Sequence, residues 1–348
     1  GGSTGGRKWC LQSWRNLKQS AASTGRWLAG IGIDPSRTRV VNPLSPHHMA
    51  GLMPEMRAQQ WEVPMLGISP AELKKPEALL QKSAELTADG REPLLSVVPT
   101  QLQRLLKTPA GIQWLQQFRV IWVGGAALSP AVADKARQEQ LALSPCYGAT
   151  ETAAMVCALP PSMFLADVEG CGHPLEDVEL QLESTSRAIL VKTKRLSPGW
   201  LDGKHLRPFT EPDNWWHSGD AGLLSHQGLQ VLGRLDGAIN SGGTTVFPEQ
   251  IEAALAGTSG VKALIVVGIP DPEWGERLVG IVQLDQGREK QEVLNALQAS
   301  GLALPASERP RGWHVAPKLN FNHQGKWERA RWAKFISLKV NNSKPNKG

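Results

Sequence analysis

The chain has 348 residues, 41% of them hydrophobic and 20% charged, a globular composition too long for one ordinary core. Its net charge of +6 is scattered, with only 339–347 locally basic, which argues against a nucleic-acid footprint and leaves an anionic small molecule as a suitable partner. Cys10, Cys146, Cys157 and Cys171 show no C-x-x-C spacing, so neither a zinc site nor a disulfide framework is expected, and no apolar run is long enough to span a bilayer. With no signal peptide, a reducing, cytoplasmic setting is the expectation.

Residues 1–8 read Gly-Gly-Ser-Thr-Gly-Gly-Arg-Lys. Backbone N–H groups on such a loop, with two hydroxyls and a lysine, can wrap a phosphate. A linker scar has the same composition, so the rest of the chain must decide. Cys10, Trp14, Leu17 and Ala21 recur at helical spacing as far as Gly25, which predicts a helix directly behind the loop, where its dipole favours an anion. The loop lacks the Gly-Lys-Ser/Thr triplet of the common nucleotide-binding loop.

Short apolar runs then alternate with helical patterns. Val40-Val41 leads to Pro43, 94–98 ends at Pro99, and 120–123 ends at Gly124-Gly125. Ser129-Pro130 is a good cap and first residue for the helix that follows. Strand, turn, helix, strand is the grammar of an α/β sheet. From Asp177 the period becomes two: Val178, Leu180 and Leu182 alternate with Glu179, Gln181 and Glu183, as in a partly exposed antiparallel region. A second block from Arg234 is expected to hold a helix over 248–256, strands over 263–267 and 278–284, and a helix over 289–299. Residues 339–348 read as a polar tail, disordered from 341.

Four segments carry chemistry. Tyr147-Gly148-Ala149-Thr150-Glu151 joins a hydroxyl, a glycine turn and a carboxylate, as a nucleotide–magnesium site requires; a plain loop would read the same. Asp220, behind Ser218-Gly219, can accept both hydroxyls of a ribose, though in isolation a turn aspartate is the simpler reading. Gly233-Arg234-Leu235-Asp236 falls at the junction of the two blocks, where an arginine beside a charged loop can contact a nucleotide and act at a hinge. Gly325-Lys326, with Arg329 behind, puts a lysine on a glycine-bearing loop, where a lone lysine is usually a solvated surface residue.

Together and in this order, the segments resemble the adenylate-forming superfamily of acyl-CoA synthetases, peptide-synthetase adenylation domains and luciferases. The likeness covers nearly the whole chain. The family's Thr/Ser-Gly-Thr-Thr-Gly-x-Pro-Lys loop is matched by Gly2 to Lys8, its Y-G-x-T-E by Tyr147 to Glu151, and its G-x-x-G-x-P by Gly170 to Pro174. Its T-G-D is matched by Ser218 to Asp220, its G-R-x-D by Gly233 to Asp236, its aromatic-Gly-Glu by Trp274 to Glu276, and its G-K-x-x-R by Gly325 to Arg329. Seven ordered matches set the scar reading aside. A narrower likeness, to the o-succinylbenzoate–CoA ligases of menaquinone and phylloquinone biosynthesis, rests on Ser96-Val97-Val98-Pro99-Thr100-Gln101-Leu102, on Pro43-Leu44 with His48-Met49-Ala50-Gly51-Leu52, and on 241–243 with 246–252.

The resemblance implies an α/β fold: a large AMP-binding domain over 1–233 with α/β sheets and a β-rich subdomain, a hinge over 234–238, and a small mobile α+β domain over 239–338. It implies ATP, Mg²⁺ and CoA, and a small-molecule carboxylate, best taken as 2-succinylbenzoate. The acid first joins ATP as an acyl-adenylate, releasing pyrophosphate; the small domain then rotates and the CoA thiol attacks. In these terms Ser3, Thr4, Gly5 and Lys8 hold the departing phosphates, Thr150 contacts the α-phosphate and Glu151 holds Mg²⁺. Gly124, Gly125 and Ala126 shape the acyl and adenine pocket, and Tyr147 and Gly148 bind ATP. Asp220 binds ribose, Arg234 contacts the nucleotide, Asp236 is the hinge, and Lys326 bridges carboxylate and α-phosphate oxygens. His48 closes the acyl tunnel or is a satisfied core histidine.

Another aryl- or acyl-CoA synthetase and a non-catalytic nucleotide-binding relative stay open as alternatives, and a homodimer is the default assembly. Arg7 stands at the family's proline position, and Asn240 where many relatives have lysine. Relatives carry on the order of a hundred residues ahead of the phosphate loop, by analogy alone, so the sequence is expected to begin inside a longer enzyme with part of the large domain's sheet missing.

Overall fold

The computed structural model describes residues 9–209, 214–319 and 329–342. Ser3, Thr4, Gly5, Lys8 and Lys326 lie outside the described residues. The chain divides into two compact units, Gly1–Leu128 with Val132–Val231, and Ser129–Ala131 with Leu232–Gly348.

The elements run β1 (Trp9–Cys10), α1 (Trp14–Gly30), β2 (Thr38–Asn42), α2 (Met49–Trp61), β3 (Met65–Gly67), α3 (Pro76–Gln81), α4 (Ala84–Thr87), β4 (Glu92–Val97), α5 (Pro99–Leu105), α6 (Pro109–Leu115), β5 (Val120–Val123) and α7 (Pro130–Gln138). They continue through β6 (Leu143–Ala149), β7 (Ala154–Ala158), α8 (Pro161–Leu165), β8 (Val178–Leu182), β9 (Ala188–Thr193), β10 (Trp200–Asp202), β11 (His205–Arg207), β12 (Trp216–Ser225) and β13 (Gly228–Arg234).

The central sheet has the order β3-β2-β4-β5-β6-β7 and is parallel until β7 folds back on β6 as an antiparallel hairpin. Val40, Leu94, Val120 and Trp122 enter one core, with Leu28 of α1 and Trp61 of α2. Their neighbours Val41, Leu95, Val97, Ile121 and Val123 enter another, with Leu102, Leu105 and Trp114 of α5 and α6. Burial on both faces is why these strands read as continuous apolar runs. Pro99 ends the run of β4 and opens α5, since it lacks an N–H for the ladder and its φ suits a first helical turn. The alternating segment forms an antiparallel sheet of order β13-β12-β9-β8, and β1-β10-β11 forms a small third sheet.

Two expectations about the first helix are corrected. Trp9 and Cys10 pair with Leu201 and Trp200, and the Leu11 N–H donates to Gly199 O at 3.2 Å, so a strand separates Lys8 from the helix. The helix opens only at Trp14, and Ser13 Oγ already accepts from the Asn16 N–H. Nor does Gly25 stop it: the helix runs to Gly30, and a Cβ at Gly25 would stand 2.8 Å from Trp61 Nε1. That glycine permits close packing with α2 rather than a break.

The second unit adds β14 (Ile239–Ser241), β15 (Thr244–Val246), α9 (Pro248–Leu255), β16 (Val261–Asp271), β17 (Gly275–Leu284), α10 (Lys290–Gly301), β18 (Trp313–Val315) and α11 (Arg329–Asn342). Its sheet, β15-β14-β17-β16 with β18 parallel to β17, is otherwise antiparallel, an α+β arrangement. Leu264, Val266, Leu278 and Val282 pack beneath α9 and α10, while Ile265, Val267, Ile269, Val279 and Ile281 pack beneath α11. The tail expected from 339 begins as the last turn of α11: Ile336 is buried in that core and the helix propagates past it to Asn342. No helix among the described residues is long and apolar enough to cross a membrane.

Candidate nucleotide site

Among the described residues of the first unit, Gly124, Gly125 and Ala126 follow β5, and Tyr147 and Gly148 close β6, at the carboxyl ends of parallel strands, the usual place for ligands in an open α/β sheet. Gly124 follows β5 directly; its N–H donates to Val97 O at 3.3 Å, and a Cβ there would lie 2.9 Å from Cys146 Sγ. Gly125, at φ 84°, and Ala126 follow it, both exposed. Cys146 leads straight into Tyr147 and Gly148 on β6. A Cβ on Gly148 would fall 2.2 Å from Ala154 O, so only glycine lets β7 return this closely.

Tyr147 Oη donates to Asp220 Oδ2 at 2.7 Å. Burial, then the Asp220 charge, pushes the phenol well above its ordinary value, so it stays a neutral donor. Asp220 sits on β12, and its N–H donates to Ser218 Oγ at 3.0 Å. Two motifs remote in sequence thus form one wall.

Thr150 and Glu151 occupy the turn between β6 and β7, Thr150 exposed and Glu151 half-buried. Gln12 Nε2 donates to both their carbonyls, at 2.7 and 3.1 Å, and the Ser197 N–H donates to Glu151 O at 2.7 Å. The backbone is therefore held from outside the turn. Among the described residues no group of three or more His, Cys, Asp or Glu could cage a metal. One carboxylate and one hydroxyl nevertheless fit Mg²⁺, which is usually bound by one or two carboxylates plus waters and substrate phosphates.

His48 heads α2 and is exposed, which overturns the core-histidine alternative. In the second unit Arg234 and Asp236 form a bidentate pair, both contacts at 3.1 Å. Asp236 therefore lies against the arginine expected at the nucleotide. Arg329, three residues beyond Lys326, pairs with Glu252 and Glu249 and donates to Val266 O at 2.8 Å, fixing the start of α11 against α9 and β16. Burial pushes the Cys146 thiol up to about 11 and the Cys171 thiol to about 12, so both stay protonated near neutral pH.

Two arginines escaped the sequence reading. Arg57 is 5% exposed on α2, its guanidinium 4.6 Å above the Trp122 ring and its Nη1 3.5 Å from Ser96 Oγ. No carboxylate pairs with it among the described residues, and Arg57 Nε, Trp122 Nε1 and Ser144 Oγ are buried without hydrogen-bond partners there. Burial lowers its pKa to about 10. Its helical spacing from Met53 and Trp61, both buried, is the signal that could have found it. Arg195 is fully buried beyond the end of β9, and nothing in the stretch Lys192-Thr193-Lys194-Arg195 distinguishes it from a solvated basic run.

A cavity of about 180 Å³ in the second unit is lined by Ser241, Trp274, Arg277, Arg309 and Arg311, among others. The Arg311 guanidinium lies 5.5 Å from the Trp274 ring centre.

The chain is similar to known proteins. The 2-succinylbenzoate–CoA ligase of Listeria monocytogenes is 28% identical over 338 residues, covering 94% of this chain and 67% of the relative. The fold matches the o-succinylbenzoate CoA synthetase (MenE) of Bacillus subtilis in complex with the acyl-adenylate OSB-AMP, at a TM-score of 0.78 and 22% identity over 95% of this chain and 67% of that one. The same enzyme in complex with ATP and a magnesium ion matches at 0.78 and 22% over 95% and 68%. The chain spans about two thirds of the length of these proteins. The family described as AMP-binding enzyme matches residues 1–193, more than half of the chain, and its C-terminal domain matches 250–326. With that match over more than half of its length, the chain belongs to the AMP-binding enzymes.

Proposed function

We propose that the chain is an AMP-forming acid–thiol ligase that converts 2-succinylbenzoate to its CoA thioester through an acyl-adenylate, releasing AMP and pyrophosphate, in quinone biosynthesis. The observation that carries the nucleotide half is the Tyr147–Asp220 bond beside the Thr150–Glu151 turn. Asp220 accepts the ribose hydroxyls, Thr150 meets the α-phosphate, and the glycines after β5 leave room for a flat base. Glu151 and Thr150 would hold the magnesium ion, which supplies charge neutralisation on the phosphates when bound. Ser3, Thr4, Gly5 and Lys8 steady the departing pyrophosphate, and Lys326 neutralises charge where carboxylate meets α-phosphate. The rate gain rests on positioning and fixed charge, with no protein nucleophile.

Arg57 supports a dicarboxylic acid. An unpaired buried cation is costly, and a second carboxylate on the substrate would offset that cost. 2-Succinylbenzoate has one carboxylate to activate and another to bind. The arginine-lined cavity at Trp274 suits a phosphorylated nucleoside, as CoA carries, through indole stacking and guanidinium–phosphate pairing.

The test is pyrophosphate release with ATP, CoA and a panel of carboxylic acids. Release with 2-succinylbenzoate alone is expected. Release only with other acids would give a different synthetase, and none with any acid would sink the enzymatic reading.

A further inference from the structure

We propose that Arg195 is a positioning residue for nucleotide handling: it locks the turn that presents Thr150 and Glu151. The proposal rests on the reading above, in which those two residues meet the α-phosphate and the metal.

Every donor direction of the Arg195 fork is used. Nε donates to Asp177 Oδ2 at 2.8 Å, Nη1 to Thr152 O at 2.6 Å and Ser20 Oγ at 3.3 Å, and Nη2 to Met155 O at 2.7 Å and Asp177 Oδ1 at 3.5 Å. Asp177 also accepts from Ser23 Oγ at 2.5 Å. A single carboxylate takes about two of the five guanidinium N–H groups, so a fully buried fork needs further acceptors. This one spends two further bonds on carbonyls, one of them directly after Glu151.

The turn needs such a restraint. Ala153 and Ala154 have φ of 52° and 78°, left-handed values that cost non-glycine residues about 1–3 kcal/mol each and persist only where the surroundings over-determine them. The surroundings do so here. Thr150 O and Glu151 O are taken by Gln12, Glu151 O also by Ser197 N–H, Thr152 O and Met155 O by Arg195, Ala153 O by Ser20 Oγ, and Ala154 O by Thr152 Oγ1. Ser20 is itself an Arg195 partner, so the guanidinium touches the turn both directly and through α1. Lysine keeps the charge for Asp177 but lacks the planar fork that reaches both carbonyls.

The experiment compares Arg195→Lys with Glu151→Gln and the double variant. The readouts are calorimetric binding of ATP with and without Mg²⁺, the KM and kcat of pyrophosphate exchange, and thermal unfolding. Arg195→Lys is expected to stay folded, to weaken MgATP binding about tenfold or more, the scale of losing an outer-shell partner, and to leave the KM for CoA nearly unchanged. In the double variant the two losses should not add, because one residue acts through the other. A lowered melting temperature with unchanged Mg²⁺ dependence, or additive losses, would reduce Arg195 to a core ion pair and overturn the proposal. A Glu151→Gln variant with normal Mg²⁺ dependence would instead overturn the reading of the site. Should Arg195→Lys fail to fold, Arg195→Gln with Asp177→Asn, which leaves no buried charge, carries the same comparison.

Discussion

Tyr147 Oη donates to Asp220 Oδ2 at 2.7 Å across 73 residues of sequence, joining the end of the parallel sheet to the antiparallel one. The bond fixes the carboxylate expected to receive ribose. Tyr147→Phe removes the donor and keeps the ring. A hydrogen bond to a charged group contributes about 1.5–3 kcal/mol, so the KM for ATP should rise about tenfold or more, with kcat changed less. Steady-state kinetics with ATP varied check this; an unchanged KM would separate Asp220 from nucleotide binding.

Arg57 gives a prediction about the acid. Arg57→Met removes a buried cation that no described carboxylate balances, so the protein itself should lose little stability. The KM for 2-succinylbenzoate should rise at least about tenfold, roughly 1.4 kcal/mol, while a monocarboxylic benzoate used as a poor substrate should be unaffected. Equal effects on both acids would place Arg57 in packing only.

Lys326 is expected to serve the first half-reaction. Lys326→Ala should cut adenylate formation by about two to three powers of ten, the scale of one oriented donor. Thioester formation from pre-made acyl-adenylate should be largely spared. Single-turnover assays of each half-reaction decide, and equal loss in both would remove the assigned role.

Arg311 tests the cavity in the second unit. Arg311→Ala should raise the KM for CoA about tenfold and leave pyrophosphate exchange, which needs no CoA, unchanged. Loss of exchange would assign the cavity elsewhere.

Asp177 sets an acid limit. Burial pushes its carboxyl up, but the Arg195 bonds and charge and the Ser23 hydroxyl outweigh burial and hold it below its ordinary value of 3.8. A carboxylate with a lowered folded pKa stabilises fully above its unfolded value, and that contribution is lost as pH falls through the folded one. Asp177→Asn should therefore be less stable at neutral pH, by roughly 1–3 kcal/mol because the side chain remains 24% exposed, and its stability should fall less steeply below pH 3.8. Urea midpoints across that range provide the check.

Sequence alone determined the elements whose cause is local. The run 120–123 is a strand because four apolar residues end at Gly124-Gly125, and 178–182 is an antiparallel strand because its residues alternate. It also determined the ordered motifs, since glycine turns, hydroxyls and carboxylates at fixed spacing are readable one segment at a time. The start of α1 was not readable, because β1 exists only through pairing with Trp200 and Leu201, far along the chain. Nor were Arg57 and Arg195 legible as buried: their partners are a ring and a hydroxyl for Arg57, and for Arg195 a carboxylate 18 residues away and carbonyls of the β6–β7 turn and of β7. Only tertiary structure decided that Tyr147 meets Asp220 and that the Glu151 turn is clamped from three segments. The physical reason is that a hydrogen bond to a backbone carbonyl leaves no mark on the identity of the residue that accepts it, and a side-chain pair 73 residues apart has no local spacing to reveal it.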